Sequence, residues 1–211
     1  MEHLSPVPES VIDALPVLDA NQLGRSIRRH TEMEGLPSLD GIKVAIVGVQ
    51  EDRRAYRNVG CDGAADAIRP YLYQLYKGKW DFGIADLGNL YKGERHTDTL
   101  LLLKEIAQEL LQRQIVLITI GGSQELTYAN YRGYDSLEQT VNIVSVDARL
   151  DVGSEGRELD HQSYVSHLVL QEPHNLYNFT NLGYQTYFNS PEEIALIDKL
   201  FFEAVSGRAH V

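Results

Sequence analysis

Apolar residues along this chain follow two patterns in turn: short β-branched runs, and longer stretches in which they return every three or four positions. Residues 42–47 are the first such run, closed by Gly48, and predict a buried strand. Over 62–76, Ala64, Ala67, Ile68, Leu72, Leu75 and Tyr76 fall at helical intervals, with Pro70 predicting a start or a kink. Residues 80–87 read as a second strand that ends in Asp86-Leu87-Gly88-Asn89. The stretch 97–112 sets Leu100, Leu103, Ala107, Leu110 and Leu111 on one face of a long helix, capped by Thr97. A strand at 115–120, a Gly-Gly turn, a helix over 126–137 and a strand at 141–146 continue the series. Such alternation predicts a mainly parallel sheet with helices on both faces, a three-layer α/β/α domain.

The pattern is weaker at both ends. Residues 1–40 hold four of the seven prolines and predict an irregular lead-in with short helical pieces, which places the α/β domain at 41–206. Beyond Gly153, residues 154–161 look loop-like, 166–170 suit a brief strand or helix, and 182–188 alternate as a strand. Ser190-Pro191-Glu192-Glu193 is a strong helix start, combining a capping serine, proline in the first turn and carboxylates that complement the helix dipole. That helix is expected to run to about Val205, with no strand after it, so the sheet is expected to lack its C-terminal strands.

Composition narrows the classes. The length of 211 residues suffices for one domain with a sizeable core. Thirty acidic against 19 basic residues give a net charge of −11, and no stripe of Lys and Arg gathers to neutralise phosphates, so nucleic acid is not an expected partner. No apolar run is long enough to span a bilayer, residues 1–20 lack the pattern of a signal peptide, and Cys61 is the single cysteine. Those features predict a cytoplasmic protein that makes no use of a membrane. No Gly-x-Gly-x-x-Gly follows the first strand, which argues against a dinucleotide site. His161, His167 and His174 match no helical spacing for metal ligands.

In a parallel sheet, ligands gather at the carboxyl ends of the strands. Two polar clusters sit there, Gly121-Gly122-Ser123-Gln124-Glu125 and Asp147-Ala148-Arg149-Leu150-Asp151. If the strand runs on past Val146, its period of two puts Asp147, Arg149 and Asp151 on one face. Two carboxylates suit a hard divalent cation, whereas a guanidinium has no lone pair to offer and would repel one.

The first cluster resembles the Gly-Gly-Asp-His-Ser or Gly-Gly-Gly-His-Glu motif of the arginase, agmatinase and formimidoylglutamase family, the ureohydrolases. The second resembles that family's Asp-Ala-His-x-Asp. Asn58-Val59-Gly60-Cys61-Asp62-Gly63 leading into a helix through Ile68-Arg69, and Asp86-Leu87-Gly88, are similar to two earlier segments of the family. Glu125 points to the formimidoylglutamase branch. The resemblance implies an arginase-type fold, homo-oligomers, and hydrolysis of C–N bonds in linear amidines or guanidines at a dinuclear manganese centre. It further implies that Asp147 and Asp151 match two aspartate ligands, that Gln124 and Arg149 replace the two histidines, and that Gln124, Glu125, Arg149 and Ser163 line the site. No residue emerges as catalytic, and no bound cofactor is expected. Three readings stand side by side: a degenerate ureohydrolase serving in binding or assembly; an active hydrolase holding one metal through Glu125, Asp147 and Asp151; and a small-molecule-binding α/β module with an unrelated ligand at the strand ends, its carboxylate on Arg149. A small amidine or amino acid is the ligand that the resemblance implies.

Overall fold

A computed structural model describes residues 1–153, 156–170, 175–200 and 202–206. The chain forms two compact units, Met1–Ser123 and Gln124–Val211.

The first unit is built on β3 (Ile42–Val49), which is flanked by β4 (Gly83–Leu90) and β5 (Val116–Gly121), both parallel to it. Residues 1–40 supply β1 (Leu4–Ser5), antiparallel to β4, and β2 (Arg28–Arg29), parallel to it. Helices α1 (Glu9–Asp13), α2 (Ala64–Gln74) and α3 (His96–Gln112) belong to the same unit. Tyr73 of α2 packs with Ile46, Leu23 and Ile27, and Trp80 and Ile84 border that cluster. Pro70 lies inside α2 and does not start it. Helix α3 begins at His96, ahead of the expected cap at Thr97, because the Asp98 carboxylate accepts the Arg95 main-chain N–H at 2.9 Å.

One ion pair ties two sequence segments that look independent. Arg69, fully buried on α2, donates from Nε and Nη2 to the two Asp86 carboxylate oxygens at 2.9 and 3.0 Å. Its other donors reach Asp66 at 2.8 Å, the Asn89 side chain at 2.7 Å and the Gly88 carbonyl at 2.9 Å. Asp86 also accepts from the Tyr73 hydroxyl at 2.9 Å and the Gly88 N–H at 3.0 Å. Such close approach needs glycine nearby: a Cβ on Gly88, at φ +84°, would lie 1.8 Å from the Ser5 carbonyl oxygen.

The second unit comprises α4 (Leu126–Asp135), β6 (Val141–Val146), α5 (Tyr164–Leu170), β7 (Leu176–Tyr184), α6 (Pro191–Lys199) and β8 (Glu203–Ser206). Its strands run parallel in the order β6-β7-β8. Tyr131, Tyr164, Val165, Leu168 and Phe179 form its main core. Ser190 caps α6 as expected, accepting the Glu193 N–H at 3.1 Å while Glu193 accepts that of Ser190 at 2.8 Å. Two expectations are corrected. The strand placed at 182–188 ends at Tyr184 and begins at Leu176, and α6 stops at Lys199 so that 203–206 form β8 instead of a last helical turn or a sheet with no further strand. Residues 154, 155 and 201, which fall within the expected loop and the expected final helix, lie outside the described residues.

Candidate functional site

The Asp147–Asp151 segment belongs wholly to the second unit, and its shape comes from side chains that hydrogen-bond its main chain. Strand β6 ends at Val146, and the Arg149 N–H turns back onto Asp147 Oδ1 at 2.8 Å. An aspartate that bonds the backbone two residues on makes a turn, so the expected continuation of the strand through Asp151 does not occur. Asn189, just before α6, then holds the bend from outside. Its side-chain oxygen accepts the Leu150 N–H at 2.8 Å, and its amide donates to Ala148 O at 3.0 Å and Gln185 O at 2.8 Å. Asn181 of β7 donates to Arg149 O at 2.9 Å. Asp151 leaves the bend at φ +49°, a left-handed conformation that aspartate tolerates better than most residues.

The side chains then part. Arg149 is exposed; its Nη1 donates to Phe188 O at 3.0 Å and its guanidinium lies over the Phe188 ring, 4.9 Å from the centroid. It makes no ion pair with Asp147 or Asp151 among the described residues. Asp151 is 5% exposed, and burial, followed by the negative charge of Asp147, pushes its pKa up to about 7, against the partial opposition of Arg149. Arg149 and Asp151 meet at a cavity of about 60 Å³, together with Phe188, Asn189, Arg157, Gln162 and Glu193. Arg157 is already engaged, with Nε on Asp160 at 2.7 Å and Nη2 on Gln162 at 3.2 Å.

The other expected residues lie apart from that cavity. Gln124 is exposed and its amide donates to Thr127 Oγ1 at 3.3 Å. Glu125 is fully buried at the start of α4, where a helix N-terminus favours a carboxylate. Ser163 is buried, donating to Glu158 O at 2.7 Å and accepting the Asp160 N–H at 3.0 Å, and it borders a different cavity of about 710 Å³ beside Leu170 and Leu196. The Gly-Gly turn that precedes Gln124 belongs to the first unit. A Cβ on Gly121 would lie 2.5 Å from Val49 O, so the turn is a packing requirement of β3 and β5. His167 Nε2 lies 3.0 Å from Arg157 O, and His174 lies outside the described residues. Sequence reasoning missed Asn181 and Asn189. The only signal for the second was its place before Ser190-Pro191, where a chain must turn.

A profile described as the arginase family matches residues 42–209. A formimidoylglutamase of Streptococcus gordonii is 28% identical over 125 residues, covering 56% of this chain and 38% of that protein. Among solved structures, formimidoylglutamase of Bacillus subtilis superposes with a TM-score of 0.76 at 16% identity, covering 92% of this chain and 62% of that one. Trypanosoma cruzi formiminoglutamase, crystallised with Mn2+, gives a TM-score of 0.72 at 17% identity, covering 88% and 65%. This chain therefore spans less than two thirds of the length of each of these relatives.

Proposed function

Because the chain belongs to the arginase family, with the mixed, mainly parallel α/β fold of that family, we propose that it is a catalytically degenerate ureohydrolase of the formimidoylglutamase type, acting in binding or assembly and not in turnover. One observation carries the reading. The position that resembles a family metal-ligand histidine is Arg149, and its guanidinium is turned onto Phe188.

The donor chemistry of the site does not fit a pair of manganese ions. Gln124 offers a neutral amide in place of imidazole, and Arg149 brings a permanent positive charge and no lone pair. Asp147 spends one carboxylate oxygen on the Arg149 N–H. Among the described residues no three His, Cys, Asp or Glu side chains converge in a way that could hold a metal ion. No hydrolytic step is therefore assigned to these residues.

The test is to purify the protein from manganese-supplemented culture, measure bound metal by mass spectrometry, and assay formimidoylglutamate, agmatine and arginine for release of formamide, urea or ammonia. The expected result is substoichiometric metal and no turnover with any of the three. Close to two manganese ions per chain, or a turnover abolished both by chelator and by Asp151→Ala, would overturn it.

A further inference from the structure

Helix α5 opens on a side chain that belongs to neither strand-end cluster. Tyr164 is its first residue and is only 1% exposed. Its ring packs with Tyr131, Val165, Leu168 and Phe179 in the main core of the second unit. The hydroxyl reaches beyond that core to Ser145 Oγ, 3.4 Å away. Hydrogen bonds between oxygens centre on about 2.7–2.8 Å, so this one is weak. A buried tyrosine hydroxyl normally has a better partner, and Ser145 alone does not explain where this one ends.

Ser145 does mark the place. It is the last buried position of β6, two residues before Asp147. Across the sheet it is in register with Asn181, whose amide donates to Arg149 O. Helix α5 is fastened to the far end of the same bend, where the Val165 N–H donates to Asp151 O at 3.2 Å and the Ser166 hydroxyl donates to Val152 O. The Tyr164 hydroxyl therefore lies where β6 gives way to the bend at 147–151.

The groups that act on the hydroxyl agree with that position. Burial pushes its pKa up to about 12; the Asp151 and Asp147 carboxylates add to the rise, and the Ser145 and Gln124 side chains oppose it. Gln124, Asp147 and Asp151 are three of the four positions that resemble family metal ligands, and all three influence this one oxygen. The fourth, Arg149, is turned onto Phe188. A metal ion needs its ligands to converge on free space, with donor atoms at about 2.0–2.6 Å. An oxygen carried on a ring that is packed into the core cannot step aside to leave that space.

Resting on the reading of this site as degenerate, we propose that the Tyr164 hydroxyl stands between Gln124, Asp147 and Asp151 where a metal ion would have to sit, and closes the strand end to manganese independently of the replacements at 124 and 149. Imidazoles restored at those two positions then rebuild only part of a metal site.

The test starts from the full 211-residue chain carrying Gln124→His and Arg149→His, titrated with manganese alone by calorimetry, with bound metal measured by mass spectrometry. Adding Tyr164→Phe removes the oxygen and keeps the packed ring. It should tighten manganese binding by about tenfold or more, with unchanged circular dichroism. Should that variant not fold, Tyr164→Leu makes the same test. Equal affinity with and without the change at Tyr164, including no binding by either protein, overturns the proposal. Close to two manganese ions in the unaltered chain would overturn the degenerate reading beneath it as well, so the two failures are distinguishable.

Discussion

Replacing Arg69 by Met removes a cation from the centre of the first unit and leaves Asp86 buried with only the Tyr73 hydroxyl and the Gly88 N–H. Both charged side chains are fully buried, so water cannot take over the lost contacts. Breaking one half of a buried ion pair costs about 3–5 kcal/mol, and the loss here falls at the upper end because Asp66, Asn89 and the Gly88 carbonyl lose a donor together. Asp86→Asn keeps the shape but leaves the guanidinium with Asp66 as its one carboxylate partner, at a cost of about 2–3 kcal/mol. In the double variant neither charge is left alone, so the combined loss should fall short of the sum by about 2 kcal/mol. Trp80, the only tryptophan, borders the core that contains Tyr73, and its fluorescence therefore reports this unit during urea unfolding. A loss below about 1 kcal/mol for Arg69→Met, or additive losses in the cycle, would show that the pair is not the buried tie described here.

Three further outcomes follow from the second unit. Asp151 holds its proton in the folded chain up to about pH 7, whereas the unfolded chain releases it near the ordinary 3.8. The native state thus binds the extra proton between those values, stability falls as pH rises through that window, and the loss above it is about 4 kcal/mol. Asp151→Asn, which also accepts the left-handed backbone, should therefore match the parent near pH 4 and exceed it at pH 8 in chelator-treated protein; a variant less stable at pH 8 in thermal melts contradicts this. Ser190→Ala removes the cap of α6 and should cost about 1 kcal/mol in urea titrations, with Ser190→Gly milder by most of that amount. Arg149→His loses the contact with Phe188 and should change stability by only about 0.5–1 kcal/mol, while the pair Gln124→His and Arg149→His should raise manganese uptake above that of the parent by mass spectrometry.

Where local periodicity and tertiary packing agree, the chain was readable. Strand β6 begins and ends as its apolar run does, and α6 begins where Ser190, Pro191 and Glu193 announce it. Strand β7 was obscured because Asn178, Thr180 and Asn181 look like loop residues, although Asn181 is buried and spends its amide on Arg149 O. The end of α6 differs from expectation because a short apolar stretch such as Phe202-Glu203-Ala204-Val205 suits a helix or a strand equally until pairing with β7 decides. Motif spacing located the bend at 147–151, but not its shape. That depends on Asn189, almost forty positions away, and on an aspartate turn that ends the strand before its side chains can line up.

The bend is held through the carbonyls of Ala148 and Arg149 and the amide of Leu150, with Asn181 and Asn189 as the clamps. None of those bonds involves the side chain at position 149. A scaffold fixed in this way is indifferent to the side chain at 149 but not to Asp147, whose carboxylate makes the turn, so shape and chemistry are separable at the first position and joined at the second. Position 149 can therefore change its chemistry without touching a bond that holds the bend.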